Sequence, residues 1–232
     1  GDIMFSLPPQ DMQAIWLSAK VASAATVISL PFGLGAAYCM VFVRLPGKAF
    51  FEGLINLPLV LPPVVVGYLL LLLLGRSSWL GQLLQTMHIR IIFTISAAII
   101  ASSVIGFPLL VRSIRIGMEN IDERYLHASR TLGARWWDTL LTIILPLSGR
   151  AILAGMTLMF ARSLGEFGAT IILAGDIPGV TQTIPLAIYD YTNTPGGDSM
   201  ALSLCLVSIA LSFAVLLVNE AASRKLRQEP GR

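Results

Sequence analysis

Long apolar runs alternate with shorter polar segments along this chain, and each run is long enough to form a membrane-spanning helix. A helix needs about 20 apolar residues to cross the hydrocarbon core of a bilayer. The first run exceeds that length and carries Pro31, Gly33 and Gly35 near its middle, so we expect a kink or a tilt there. The five predicted spans are Ala14–Val43, Phe50–Leu74, Ile91–Val111, Ala151–Gly175 and Met200–Val218.

The composition agrees with an integral membrane protein. The 232 residues are 55% hydrophobic and only 12% charged, with a mean hydropathy of +0.77, which excludes an ordinary soluble domain. Too few polar residues remain outside the spans to build a soluble catalytic domain, so any energy source must come from another polypeptide. The formal net charge of +3 gives no indication of nucleic-acid binding.

The basic residues are distributed unevenly between the two sets of loops. Twelve Lys and Arg fall in one set, whereas only Arg76 and Arg90 fall in the other. Because loops rich in Lys and Arg stay in the cytoplasm, five spans place the N-terminus outside and the C-terminus inside. The twelve basic residues are Arg44, Lys48, Arg112, Arg115, Arg124, Arg130, Arg135, Arg150, Arg224, Lys225, Arg227 and Arg232.

Two connections are long enough to carry structure of their own. The cytoplasmic one, residues 113–150, has apolar residues at helical spacing on both sides of Gly133, which predicts two short helices. Glycine can adopt the positive φ that ends a helix and turns the chain. The outer one, residues 176–199, contains three prolines and two adjacent glycines, which predicts irregular structure. Within it, the apolar segment Ile184–Tyr189 could dip into the membrane.

The cytoplasmic connection contains a spaced motif. The triplet His127-Ala128-Ser129 is followed after three residues by Gly133, and after nine more by 143–146, Ile-Ile-Leu-Pro. It resembles the signature loop of the permease subunits of bacterial ATP-binding-cassette (ABC) importers, where a Glu-Ala-Ala triplet precedes the glycine. A chain driven by a separate ATPase needs a rigid projection, in which small residues permit close docking, the glycine forms the corner and the proline ends the returning helix. The alternative is an amphipathic helix that lies on the lipid surface.

This chain departs from the family motif at two positions. His127 stands where the family usually has Glu, and Ser129 stands where it has the second Ala. Glu123, one turn earlier, is therefore the candidate that supplies a carboxylate. The candidate ATPase-coupling residues are Glu123, His127, Ala128, Ser129, Arg130, Gly133, Ala134, Ile143, Leu145 and Pro146.

Further stretches resemble the molybdate branch of these permeases, and together with the cytoplasmic motif they cover nearly the whole chain. They comprise Leu57–Tyr68 in the second predicted span, Phe160–Thr170 in the fourth, and Ala174–Gly179 and Thr183–Tyr189 beyond it. Asp176 replaces the more usual Asn. The sulfate and tungstate permeases are close relatives of this branch.

Charges and prolines inside the predicted spans are candidates for the transport pathway. Arg162 and Glu166 lie four residues apart, on one face of a helix, where each can neutralise the other. Because a charge inside a span costs on the order of a few kcal/mol unless it is paired or faces water, the two residues predict either a structural ion pair or a gate. Prolines in the second span predict either a bend beside the pathway or a static kink. The candidate pathway or gate residues are Pro58, Pro62, Pro63, Gly67, Arg162, Gly165, Glu166, Gly168 and Thr170.

The resemblance implies an all-α transmembrane fold of the type I ABC importer permease architecture, with residues 1–232 in one domain. It implies import of molybdate or tungstate across the bacterial cytoplasmic membrane by alternating access. The implied partners are a second copy of the chain, membrane lipid, two copies of a cytoplasmic ATPase that binds ATP and Mg²⁺, and an extracytoplasmic molybdate-binding protein. The alternatives are a sulfate-type permease, a secondary transporter driven by an ion gradient through Arg162 and Glu166, and a membrane scaffold.

We expect no catalysis, cofactor or metal site in this chain itself. Cys39 and Cys205 lie inside apolar stretches, and His88 and His127 fall on opposite sides of the predicted membrane. The G-x-x-x-x-G-K-[ST] loop that cradles ATP phosphates is absent from the sequence.

Overall fold

The computed structural model describes residues 8–44 and 46–227, and every regular element within these ranges is helical. Arg232, which contributes to the charge distribution above, lies outside the described residues. The helices are α1 (Pro9–Phe42), α2 (Lys48–Val60), α3 (Pro63–Leu74), α4 (Trp79–Thr86), α5 (Ile95–Glu119), α6 (Glu123–Thr131), α7 (Trp136–Thr139), a π-helical segment (Leu140–Ile144), α8 (Leu145–Leu164), α9 (Gly168–Leu173), α10 (Ile184–Thr192) and α11 (Asp198–Arg227).

Five segments of the described chain are candidates to cross a membrane, in agreement with the predicted number. Four of them are single helices, whereas the predicted second span consists of two helices, α2 and α3, which meet at an angle of 114°. Pro62 and Pro63 lie at this break, and their nitrogens have no hydrogen to donate to the helical ladder. The four segments that qualify as continuous helices are Pro9–Phe42, Ile95–Glu119, Trp136–Leu164 and Asp198–Arg224.

Several predicted boundaries are wrong, because the helices do not begin and end where the apolar runs do. The third span begins at Ile95 and continues to Glu119. The fourth begins at Trp136 and ends at Leu164, so that it includes much of the predicted connection 113–150. The predicted second short helix is therefore not separate, since α7 continues through the π-helical segment into α8.

The helix α5 lies at the centre of the packing and contacts both α1 and α8. Small residues allow these backbones to approach: a Cβ on Gly33 would lie 2.8 Å from Cδ2 of Leu110, and one on Gly155 would lie 3.0 Å from Cβ of Ser113. In a membrane, such close packing replaces hydrophobic burial as the main source of helix association. The helix α1 continues through Pro31, and the kink or tilt expected there stays a prediction.

The outer connection 176–199 contains the helix α10, so the prediction of irregular structure is wrong for this part. Pro185 lies in its first turn, where a missing N–H leaves no hydrogen bond unmade. The hydroxyl of Tyr191 donates to Oδ1 of the buried Asp11 in α1 at 2.7 Å. Burial and this hydrogen bond raise the pKa of Tyr191 to about 12. Entry of Ile184–Tyr189 into the membrane stays a prediction.

Candidate functional site

The connection between α5 and α7 is a compact turn built around the helix α6. Asp122 caps the start of α6, where its carboxylate accepts a hydrogen bond from the backbone N–H of Arg124 at 2.9 Å. This bond satisfies one of the free donors in the first helical turn. At the other end, α6 stops at Thr131 and Leu132 is its C-cap residue. The segment thus has a defined start and a defined end.

Gly133 forms the corner after α6, as predicted. Its φ is +77°, in the left-handed region. The N–H of Gly133 donates to the carbonyl of Arg130 at 3.0 Å, and the N–H of Ala134 donates to the carbonyl of Ser129 at 3.1 Å. These two bonds form the Schellman motif that closes a helix. A Cβ on Gly133 would meet nothing within 4 Å, so the backbone conformation, and not a lack of space, favours glycine here.

A buried pair of hydroxyl groups joins α6 to α7. Oγ of Ser129 and Oγ1 of Thr139 lie 2.5 Å apart, and both residues are buried. Ser129 therefore departs from the family alanine but has a hydrogen-bond partner in this chain. Sequence analysis missed Thr139. The signal that could have identified it was a second hydroxyl residue beyond Gly133, in the helix that follows the corner.

The surface of the turn exposes apolar and basic side chains together. Leu132 is 87% exposed and Trp136 is 61% exposed. His127, Ala128 and Arg130 are also exposed on α6. Contiguous apolar exposure with polar residues at its rim is typical of a surface that binds another protein.

The remaining coupling candidates lie in or beside α6 and at the start of α8. Glu123 is exposed in the first turn of α6, and Ala134 is half-buried after the corner. Ile143 lies in the π-helical segment, and Leu145 and Pro146 begin α8. The prediction that Pro146 ends the returning helix is wrong, because the chain is helical on both sides of it. The wider π-helical turn precedes the proline, whose nitrogen cannot donate to the carbonyl four residues earlier.

A second candidate region is formed where two broken helices meet. The first break separates α2 from α3, and the second, at residues 165–167, separates α8 from α9. A Cβ on Gly67 in α3 would lie 2.7 Å from Cα of Ala169, and one on Gly168 would lie 3.0 Å from Cβ of Pro63. The structure therefore brings together α3 and α9 at Pro63, Gly67 and Gly168, three of the residues predicted for the pathway. At Gly67, backbone atoms of Ala169 occupy the space of a side chain, whereas at Gly168 a Cβ would make tight contacts with Pro63 and Val64.

The ion pair predicted between Arg162 and Glu166 is present at the second break. Nη1 of Arg162 lies 2.8 Å from Oε2 of Glu166, and the glutamate side chain is almost fully buried. The two residues do not share one helix, because α8 ends at Leu164. Instead, Oε1 of Glu166 accepts a hydrogen bond from the backbone N–H of Ala169 at 2.9 Å and caps the first turn of α9. The carboxylate thus neutralises a charge and holds the two helices in their bent arrangement.

The other pathway candidates differ in how far they are buried. Thr170 is buried in α9, and Gly165 is exposed in the break. Pro58 lies within α2, one turn before the first break, and is half-buried. The side chain of Arg162 is 31% exposed, so part of its guanidinium can reach groups outside this chain.

A further charged cluster, which sequence analysis missed, joins α2 to α5. Nη1 of Arg115 lies 2.5 Å from Oε1 of Glu52, and Nε donates to Oε1 of Glu119 at 2.7 Å. The cluster borders a cleft of about 440 Å³ that Asn56 also lines. The signal in the sequence was Glu52, an acidic residue within the second predicted span.

Comparison with known proteins assigns the family. The family described as "Binding-protein-dependent transport system inner membrane component" matches residues 29–228 of this chain. The chain belongs to this family. It is therefore an inner membrane permease component of a transport system, and its several apolar helices agree with a multi-pass protein. The turn around Gly133 and both broken helices fall within the matched residues.

Relatives and a solved structure extend this assignment. The permease is 48% identical over 227 residues to "Molybdenum transport system permease protein ModB" of Escherichia coli (strain K12), and the match covers 97% of this chain and 99% of the relative. It is 37% identical over 195 residues to "Sulfate transport system permease protein CysW" of Synechococcus elongatus, with 82% and 68% covered. It resembles an inward-facing structure of the MetNI methionine ABC transporter with a TM-score of 0.73 at 14% identity, covering 97% of this chain and 99% of that one. The likeness confirms the predicted all-helical permease fold.

Proposed function

We propose that this chain is the permease subunit of an ABC importer that moves molybdate or tungstate across the cytoplasmic membrane by alternating access. The observation that carries the proposal is the 48% identity to a molybdenum permease along 97% of the chain. The identity to a sulfate permease is lower, at 37% along 82% of the chain. The motifs of 160–170 and 183–189 also favour the molybdate branch.

The driving force comes from two copies of a separate ATPase, which binds ATP and Mg²⁺ and docks on the turn around Gly133. Three features of the turn support this role: both ends of α6 are capped, Ser129 and Thr139 join it to α7, and Leu132 with Trp136 supplies an exposed apolar contact. Because α7 continues without a break into α8, a displacement of the turn is transmitted directly to a membrane helix.

Two copies of the chain enclose the pathway, and an extracytoplasmic binding protein delivers the oxyanion. The helix α2 has no buried residue in the single chain, which leaves an apolar surface for a second copy. The excess of basic residues in one set of loops supports a topology with the N-terminus outside and the C-terminus in the cytoplasm. ATP-driven closure of the ATPases then shifts the dimer between inward-open and outward-open states.

The broken helices border the pathway and act as its gate. Arg162, whose side chain is partly exposed, attracts an oxyanion, while the buried carboxylate of Glu166 reduces that attraction. A weak contact is what transport requires, because an anion held by one strong charge could not leave. The second role of Glu166, as a cap of α9, links the gate to the packing of α9 against α3.

Reconstitution in liposomes tests this function. We expect ATP-dependent accumulation of molybdate only when the permease, the ATPase and the binding protein are all present. Uptake by the permease alone along an ion gradient would contradict the proposal and favour a secondary transporter. ATPase recruitment without any uptake would favour a scaffold.

Competition in the same liposomes tests the choice of anion. An excess of tungstate should suppress molybdate uptake, whereas an equal excess of sulfate should leave it unchanged. Suppression by sulfate and accumulation of labelled sulfate would instead assign the chain to the sulfate-type permeases.

A further inference from the structure

A cleft beside α4 has a chemistry that transport of a small oxyanion does not explain. It has a volume of about 850 Å³ and lies between the end of α3, the helix α4 and the segment 88–93. Its lining combines three basic or titratable side chains with an apolar floor and includes no acidic residue among the described ones. The basic side chains are Arg76, His88 and Arg90, and the floor includes Leu71, Leu74 and Leu84.

The positive charges of this cleft have no partner in the described part of the chain. Arg76 and Arg90 are both exposed, and neither takes part in the ion pairs found among the described residues. They are also the two arginines of the opposite set of loops. Their charge is therefore available to an anionic group outside the chain.

The composition of α4 favours a position of the cleft at the level of the lipid headgroups. It follows directly after the membrane helix α3, and its eight residues include both apolar and polar side chains. Trp79 at its start is 73% exposed, and Leu83 is 49% exposed. Exposed tryptophan and a short amphipathic helix are typical of the boundary between hydrocarbon and headgroups.

His88 occupies a position where the backbone favours glycine. The N–H of His88 donates to the carbonyl of Gln85 at 3.0 Å, and the N–H of Ile89 donates to the carbonyl of Leu84 at 2.9 Å, so that α4 ends in a Schellman motif. His88 adopts a φ of +57° at its left-handed position. The left-handed conformation carries a cost for a residue with a side chain, and the imidazole of His88 lines the cleft.

We propose that this cleft binds an anionic phospholipid. Arg76, Arg90 and His88 hold the phosphate, since guanidinium groups match phosphate oxygens geometrically. Leu71, Leu74 and Leu84 hold the first part of an acyl chain. A soluble anion would use the basic rim but leave the apolar floor uncovered, and an acidic protein surface would not insert into it.

Lipid retention by the purified permease tests the proposal. The permease is purified from membranes that contain phosphatidylglycerol and phosphatidylcholine, and the bound lipid is counted by native mass spectrometry. Replacing both arginines (Arg76→Gln with Arg90→Gln) should reduce bound phosphatidylglycerol by roughly tenfold. Arg44→Gln is the matched control, because Arg44 is exposed outside the cleft, and it should retain the lipid. His88→Gly should weaken retention while preserving the fold.

Several outcomes would overturn the assignment. Equal phosphatidylglycerol retention in the double variant and the wild type would do so, as would equal retention of phosphatidylcholine and phosphatidylglycerol by the wild type. Displacement of the lipid by soluble glycerol phosphate would assign the cleft to a free phosphate. If the double variant retains the lipid but its transport is no longer stimulated by the binding protein, the cleft would instead bind an acidic protein. An unchanged melting temperature shows that the double variant is folded.

Discussion

Replacing Gly133 with valine tests whether the turn after α6 transmits the movement of the ATPase. The glycine has a φ of +77°, which costs a side-chain-bearing residue on the order of 1–2 kcal/mol. If valine returns to a negative φ, the bonds from the N–H groups of Gly133 and Ala134 are lost, each worth about 1 kcal/mol. Because either cost is small against a typical folding free energy of about 5–15 kcal/mol, we expect a folded, membrane-inserted permease whose turn is distorted.

The measurement is the number of molybdate ions taken up per ATP hydrolysed, in liposomes that contain the ATPase and the binding protein. We expect this ratio to fall in Gly133→Val while ATP hydrolysis continues. Gly133→Asn should largely preserve the ratio, because asparagine tolerates the left-handed conformation. Gly47→Val is the matched control: Gly47 has a φ of +74°, and a Cβ there also meets nothing within 4 Å, but it lies between α1 and α2.

Two results would refute this reasoning. A normal ratio in Gly133→Val would show that the geometry of the corner does not matter for coupling. An equal loss in Gly47→Val would show that any strained turn impairs the permease, so that the effect would not be specific to the turn around α6.

Three further predictions follow from the hydrogen bonds and charges of the structure. Ser129→Ala and Thr139→Val should each lower the free energy of unfolding by about 1 kcal/mol, and the double variant should cost little more than either one, because both remove the same bond; additive losses in thermal melts would contradict this. Exchanging Arg162 and Glu166 restores opposite charges but not the cap of α9, since arginine has no acceptor, so the exchanged permease should melt at a lower temperature; wild-type melting would argue against the cap. Burial raises the pKa of Asp176. The protonated carboxyl group therefore contributes to the stability of the fold at low pH, and this contribution is lost as the pH rises through the folded-state pKa. Asp176→Asn should therefore raise the melting temperature at pH 7 but not at acid pH, and equal shifts at both would be inconsistent with a carboxyl group whose pKa is raised by partial burial.

Local features of the chain were predictable because they depend on residues close together in sequence. The apolar runs predicted five membrane segments, since hydrocarbon requires a minimum length of apolar helix. Gly133 predicted its own positive φ, since the absence of a Cβ is a property of one residue. The pairing of Arg162 with Glu166 followed from a separation of four residues and the cost of an unpaired charge inside a span.

The sequence by itself therefore determined the class of protein, the corner of the projecting turn and the presence of the ion pair. Only the tertiary structure decided that α2 and α3 meet at 114°, that Gly67 lies against Ala169 and that Glu166 caps α9 instead of continuing α8. The physical reason is distance along the chain. The prolines of the second span indicated a bend, but the close approach of α3 to α9 depends on backbone atoms that are about a hundred residues apart, and no local pattern of apolar and polar positions specifies which of these atoms will meet.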